Sequence, residues 1–168
     1  MGAGILPMCL FQSRILFLFG KDKKTNFWSD FGGRQEFNET LFDTAIREGG
    51  EELNGFLGSG KQLYDLVEKN NLLTIHYDKY KVFVFLFKYD KNLPKYFNNN
   101  NDFMSETELL KSRKNNKDGL FEKSEIDWFT IDDLSNNRNN FRLFYRPIID
   151  ILVQESHTLL VNINKLKI

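Results

Sequence analysis

The stretch Gly32-Gly33-Arg34-Gln35-Glu36-Phe37-Asn38-Glu39, continued by Arg47-Glu48-Gly49-Gly50-Glu51-Glu52, decides how the rest of the chain is read. Thr40 and Asp43 have capping-box spacing, which starts a helix just after Thr40. Asn54 and Gly55 tolerate the left-handed backbone that ends one. Between these limits Glu48, Glu51 and Glu52 stand at i, i+3 and i+4 and share one helix face. Three carboxylates on one arc repel each other unless a positive charge sits among them. A divalent cation that prefers oxygen ligands, Mg²⁺ or Mn²⁺, fits that need. A solvated acidic face is the plain alternative. Two features weigh against it. The pair Gly32-Gly33 suits close approach of backbone to a ligand, and Gly49-Gly50 sits inside the helix, where each glycine costs about 1 kcal/mol relative to alanine.

The order Gly33, five residues, Glu39, seven residues, Arg47-Glu48, two residues, Glu51-Glu52 resembles the Nudix box, G-x5-E-x7-R-E-U-x-E-E-x-G-U with U apolar. Spacing is kept from Gly33 through Glu52. Gly49 takes a U position, Asn54 the last glycine and Gly55 the final U, while Phe31 stands where many members have proline. None of these departures removes a carboxylate, and asparagine adopts the same backbone as glycine at little cost. The resemblance covers roughly residues 3–153, but only the box is specific.

The resemblance implies an α/β fold, an α/β/α sandwich with a mixed central sheet. It also implies a Mg²⁺- or Mn²⁺-dependent hydrolase in which a metal-activated water cleaves a pyrophosphate link in a nucleoside diphosphate derivative. The residues agree with that chemistry: carboxylates alone repel a pyrophosphate, and divalent cations invert the sign and lower the pKa of bound water. Two or three ions suit this better than one. Carried over by position, Glu48, Glu51 and Glu52 match the metal-binding glutamates, and Glu39 matches the first box glutamate, which supports the metal shell together with the Gly33 turn. Arg47 matches an arginine that orients a box glutamate. Gly32, Trp28 and Arg34 are the substrate-binding candidates, with Phe27, Tyr80 and Phe103 as further aromatic ones. The general base is Glu51 or Glu52, or a glutamate of a later loop, Glu122 or Glu125 ahead of Glu106 and Glu108. Replacing Glu52 by Gln is expected to abolish metal-dependent turnover with the fold intact.

The 168 residues suit one domain, residues 1–168, with room for a core. Hydrophobic residues make up 41% and charged residues 27%, which places the chain among globular proteins. A formal net charge of zero gives no general attraction to nucleic acid or membrane. The one cysteine, Cys9, excludes an internal disulfide and suits a reducing compartment, so a cytoplasmic location is expected. It reads as a small buried apolar residue. The apolar start, Gly2 to Phe19, is interrupted by Gln12, Ser13 and Arg14 and is too short to span a bilayer.

Along the chain, residues 3–11 and 14–19 read as strands around a turn at Gln12-Ser13, the second buried on both faces, and Phe27–Phe31 as a short strand. Lys61–Lys69 reads as a helix. Leu72–Tyr77 and Tyr80–Tyr89 read as a strand pair with Val82–Phe87 central. Residues 90–119, rich in asparagine and lysine, read as a polar surface excursion with one helix near Ser105–Lys111. Glu125–Phe129 reads as a strand, Ile131–Leu134 as the turn into a short helix, and Phe141–Val153 as a closing helix kinked or begun at Pro147. Thr158–Ile168 is a strand or a tail. His76 and His157 are structural.

The expected partner is a small nucleotide, with nucleic acid only if the substrate is capped RNA; no membrane is expected, and a homodimer is compatible. Two rivals to the nucleotide hydrolase are a catalytically silent Nudix-fold module that binds nucleotide or RNA, and an mRNA decapping enzyme. Retention of all four box glutamates favours catalysis.

Overall fold

The computed structural model describes residues 1–106 and 120–166, the side chain of Leu166 excepted. The alternating apolar strands build a seven-stranded sheet in the order β3-β2-β1-β6-β5, with β4 added to β1 and β7 to β2. Here β1 is Gly2–Phe11, β2 Arg14–Asp22, β3 Trp28–Ser29, β4 Phe31–Arg34, β5 Asn71–Tyr77, β6 Tyr80–Leu86 and β7 Lys123–Thr130. Gln12 and Ser13 turn β1 into β2 with positive φ, 49° and 62°. β1 runs parallel to β6 and antiparallel to β2 and β4, so the sheet is mixed. β6 is an inner strand, as its unbroken apolar run requires, but β1 is the more central, taking β6 on one edge and first β4, then β2, on the other.

Side-chain alternation divides the core in two. Ala3, Ile5, Leu18, Phe83 and Phe85 pack against α1 (Leu41–Glu52), α2 (Lys61–Lys69) and α3 (Leu93–Glu106) through Ala45, Ile46, Leu63, Val67, Leu93 and Phe97. Leu6, Met8, Phe17, Phe19, Val82 and Val84 point the other way. They meet α4 (Ile131–Asn136), α5 (Arg146–Gln154) and α6 (Ser156–Leu166) through Leu134, Ile148, Ile149, Leu152, Leu159 and Ile163. The result is the expected α/β/α sandwich with a mixed central sheet. Cys9 is buried within it, and burial pushes its thiol up to about 12. Among the described residues no helix is long and apolar enough to cross a membrane.

Three local readings change. Much of the span 90–119 is the helix α3 rather than a loop; residues 107–119, with most of the helix expected near Ser105–Lys111, lie outside the described residues. Leu93, Phe97 and Asn101 recur every four residues and form its buried face. The asparagines then act as peptide mimics: Ile126 N donates to Asn98 Oδ1 at 2.9 Å, and Asn101 Nδ2 donates to the Lys123 carbonyl at 2.6 Å. These amides satisfy the free edge of β7, which offsets the poor helix propensity of asparagine. From Thr158 to Leu166 the chain is not a strand or tail but part of α6, held by Leu159 and Ile163 one turn apart; residues 167–168 lie outside the described residues. Pro147 marks the true start of α5, in its first turn, where no N–H is needed. His76, on β5, and His157, on α6, are both exposed.

Candidate active site

α1 begins at the Thr40–Asp43 capping box, with both reciprocal bonds formed, and its apolar side faces β1. Gly49 explains why glycine occupies an apolar position of the box. A Cβ there would lie 2.4 Å from Ile5 Cδ1, so the side chain of β1 fills the space from below. Asn54 has a φ of 50°, as the position demands, and its amide does more than a glycine would. Its Nδ2 donates to Asn101 Oδ1 at 2.9 Å, and its Oδ1 accepts from Phe121 N at 2.9 Å. One side chain thus ties the end of α1 to α3 and to the approach to β7.

Arg47 is the hub of the exposed side of the site. Its Nε donates to Glu39 Oε1 at 2.6 Å and its Nη2 to Glu39 Oε2 at 3.2 Å. A single nitrogen, Nη1, serves both Glu48 (2.9 Å) and Glu51 (3.4 Å). Nη2 also donates to the Arg34 carbonyl at 3.1 Å, closing the loop onto the helix. Glu39 further accepts from Glu36 N and from Thr44 Oγ1, so both its oxygens are committed to protein donors. The Arg47 bonds hold its carboxyl down at about 2. Glu48 and Glu51 are shifted the opposite way, upward, because each is partly desolvated and Arg47 only partly compensates. Half-dry carboxylates with one shared donor are poorly neutralised, which is the condition that favours a cation.

Glu52 has different company. It is buried, and its Oε2 accepts from Gly32 N at 2.8 Å and lies 3.2 Å from Lys123 Nζ. Lys123 Nζ also donates to Ser29 Oγ at 2.9 Å. Asp30, buried beside them, accepts from the Tyr80 hydroxyl at 3.1 Å. Burial raises both carboxyls, Glu52 to about 7 and Asp30 to about 8, against the pull of Lys123. Because Glu52 neutralises a buried cation, replacing it by Gln strands Lys123 and is expected to lower stability as well as turnover.

The later-loop glutamates separate. Glu122 is exposed, and its charge reaches both Glu48 and Glu52. Glu125 points away and pairs with Lys21 at 2.8 Å. Glu106 ends α3, exposed, and Glu108 lies outside the described residues. Trp28 is not brought to the box. It packs edge-on against Phe129 at 4.8 Å, and the cavity it lines contains no box residue. Phe27 and Phe103 are exposed on β-turn and helix surfaces.

Two cavities flank the site. One, of about 820 Å³, opens between α1 and α2 and is lined by Glu39, Arg47, Glu51, Asn54 and Tyr64 among others. The second, of about 540 Å³, lies beyond the glycine pair and is lined by Gly32, Gly33, Arg34, Lys79, Tyr80, Arg142 and Phe144 among others. Gly32 and Arg34 therefore line one cavity together. Sequence reasoning missed Lys123, Asp30, Ser29 and Tyr80 as a connected group, because Ser29 and Asp30 at the end of β3 meet Tyr80 of β6 and Lys123 of β7 only through the sheet.

Among the described residues no three acidic or histidine side chains converge closely enough to enclose an ion. The donor set nonetheless fits a hard divalent cation. It is all oxygen, and Glu48 already reaches the glycine turn: a Cβ on Gly33 would stand 2.5 Å from its carboxylate, so only glycine leaves that cradle open.

No protein-family model and no curated protein matches the sequence. Solved structures do match in fold. An Ap4A hydrolase from C. elegans, solved as a binary complex, shares 17% identity over 95% of this chain and 98% of its own, with a TM-score of 0.56. A bifunctional NMN adenylyltransferase/ADP-ribose pyrophosphatase from Francisella tularensis, complexed with AMP and a Mn ion, shares 17% identity over 91% of this chain (TM-score 0.57), which spans 41% of that longer protein. RenU, a Nudix hydrolase from M. smegmatis, shares 11% identity over 94% and 86%, with a TM-score of 0.53. With box spacing kept from Gly33 to Glu52 and a sandwich that superposes along nearly the whole length, the chain has the fold of the Nudix hydrolases.

Proposed function

We propose that the chain is a Mg²⁺- or Mn²⁺-dependent hydrolase that cleaves a pyrophosphate link in a nucleoside diphosphate derivative. The observation that carries this reading is the arrangement of Glu48 and Glu51. They are half-dry and share one nitrogen of Arg47, and Glu48 stands against the glycine turn. A bound divalent cation supplies charge neutralisation of the pyrophosphate and a water of lowered pKa. Glu48 and Glu51 hold it, with Glu52 fixing the turn beneath. Glu39 serves a different end: with both oxygens occupied, it aims Arg47 at the other two. Glu122, exposed and with its charge reaching Glu48 and Glu52, takes a proton from an attacking water in this reading, since Glu52 is bonded within the fold and Glu125 to Lys21.

The cavity beyond the glycine pair supports a nucleotide. Tyr77 and Phe144 offer exposed aromatic surface for a base, and Arg34 and Lys79 offer cationic groups for phosphate. The fold neighbours that act on Ap4A and on ADP-ribose support the same substrate class.

The test is phosphate or nucleotide release, followed by a coupled assay and ³¹P NMR, over normal and oxidised dNTPs, ADP-ribose, nucleotide sugars, dinucleoside polyphosphates and a capped RNA, with Mg²⁺ and with Mn²⁺. One class is expected to be cleaved. Glu51→Gln, which strands no buried cation, is expected to remove that turnover by about 10²-fold or more with Tm unchanged within about 3 °C. Full turnover in Glu51→Gln and in Glu48→Gln would sink the assignment.

A further inference from the structure

We infer that Lys123, which lies outside the box, is the positioning residue for Glu52 and, through it, for the glycine turn. The inference rests on the reading above of Glu48, Glu51 and the turn as the metal-holding centre.

The Lys123 side chain is completely buried, 0% exposed. A dry ammonium is strongly unfavourable unless paired, and an apolar residue of similar length would fill the space without that cost. Yet the surroundings are built for it. Gly20, on the neighbouring strand β2, leaves the room: a Cβ there would lie 2.9 Å from Lys123 Cγ and Cδ. The stem runs over this gap, and the ammonium sits 5.9 Å from the centre of the Phe31 ring. It ends between Ser29 Oγ at 2.9 Å and Glu52 Oε2 at 3.2 Å.

The consequence for Glu52 is geometric. The oxygen that meets Lys123 is the one that accepts from Gly32 N. Lys123 therefore fixes the rotation of this carboxylate and keeps it under the turn, against repulsion from Asp30 and Glu122. Gly32 and Gly33 are consecutive on β4, and Gly33 is the residue against which the Glu48 carboxylate lies. A chain of contacts thus runs from Lys123 through Glu52 and Gly32 to Gly33 and Glu48. Supporting groups of this kind orient the carboxylates that hold a metal, and their loss typically costs about 10–100-fold in metal affinity or activity.

The experiment compares wild type with Lys123→Met, Glu52→Gln and the double variant. Three quantities are read: hydrogen-exchange protection of the Gly32 amide in metal-free protein, Mn²⁺ affinity by calorimetry, and kcat and KM. Lys123→Met is expected to lower Gly32 protection at least tenfold and to weaken Mn²⁺ by about 10–100-fold. It should reduce kcat by a similar factor and leave the nucleotide KM within about threefold. In the Glu52→Gln background it is expected to add nothing to these losses and to restore part of the lost Tm, since the stranded cation is gone. Native Gly32 protection and native Mn²⁺ affinity in Lys123→Met would overturn the inference and leave Lys123 a counter-ion for Asp30. If Lys123→Met does not fold, Ser29→Ala removes the other bond of the ammonium without stranding a charge. A smaller loss of Gly32 protection is then expected, and none would overturn the inference. A wild type that binds Mn²⁺ but cleaves nothing refutes the hydrolase reading while the first two measurements still decide this one.

Discussion

Gly33→Ala separates chemistry from stability more cleanly than any glutamate substitution. Gly33 pairs with Ala3 across β1 and β4, and its φ is not in the left-handed region, so the backbone accepts alanine. The added Cβ would stand 2.5–2.6 Å from the Glu48 carboxylate, where ordinary contact begins near 3.4 Å. Glu48 must retreat by about 1 Å. Its end is flexible, so the cost is one off-rotamer torsion, about 0.5–1.5 kcal/mol. Removing a glycine from the unfolded chain returns about 0.4–1 kcal/mol. These nearly cancel, and Tm is expected to stay within about 3 °C. A displacement of that size at a reacting centre, in contrast, costs about 10²-fold, or roughly 2.7 kcal/mol of barrier. Gly32→Ala is the control. Its Cβ would meet Gly4 Cα at 2.4 Å and the Ala3 carbonyl at 2.5 Å, backbone that cannot retreat. It is expected to cost about 3 kcal/mol, a fall of about 6–12 °C. Differential scanning fluorimetry and kcat at saturating nucleotide read both. Wild-type kcat in Gly33→Ala would refute the placement of Glu48 at the centre; equal losses of stability in the two variants would refute the distinction between side-chain and backbone crowding.

Gly50→Ala meets nothing closer than Ser59 Cβ at 3.7 Å, so it should raise Tm by about 1–4 °C, whereas Gly49→Ala, against Ile5, should lower it; thermal melts decide the sign. Phe97→Ala is expected to cost about 3–5 kcal/mol by urea denaturation, because the ring is fully buried under α3; a change below about 1 kcal/mol would return this segment to a loop. For Asp22, burial works against ionisation. The bonds from Thr25 and Lys24 and the charge of Arg142 outweigh it and bring the carboxyl below its ordinary 3.8. Its contribution is therefore complete above that value and is lost as pH falls through the lower folded one. Asp22→Ala should cost about 2–3 kcal/mol at neutral pH and flatten the decline of Tm below about pH 4.

What the sequence revealed was local and periodic. Even and odd residues of β1, β2 and β6 are apolar because both faces of the sheet are covered, and that pattern is visible without coordinates. The box residues were legible for a similar reason, since a helix places Glu48, Glu51 and Glu52 by spacing alone. α3 was hidden because its signal is one buried contact per turn, Leu93, Phe97 and Asn101, set among asparagines whose intrinsic preference is against the helix. The preference is overridden by bonds to β7 that depend on tertiary position. Trp28 misled because an aromatic beside a glycine turn suggests stacking, while the sheet turns it toward Phe129.

The division of cations across the site was not legible at all, and it bears on how the site is made ready. Arg47 answers Glu48 and Glu51 of its own helix and Glu39 just before it; Lys123 answers Glu52 and Asp30 from a distant strand. Without them, folding would gather five carboxylates around one glycine turn with nothing to offset their repulsion. With them, the turn and helix are already held in register in the metal-free chain. The bonds are graded in a useful way. Arg47 grips Glu39 with two nitrogens and lends only one to Glu48 and Glu51, the second of these at 3.4 Å. A cation entering there competes with the weakest donor contact in the cluster and leaves the strongest in place. Glu39→Gln should therefore act at a distance: it loosens Arg47, which then has Glu48 and Glu51 as its only charged partners among the described residues and holds them more tightly. The expected result is weaker Mn²⁺ binding, by about tenfold, transmitted through Arg47. Titration calorimetry would show it, and unchanged affinity would mean that Arg47 does not govern the access of a cation to Glu48 and Glu51.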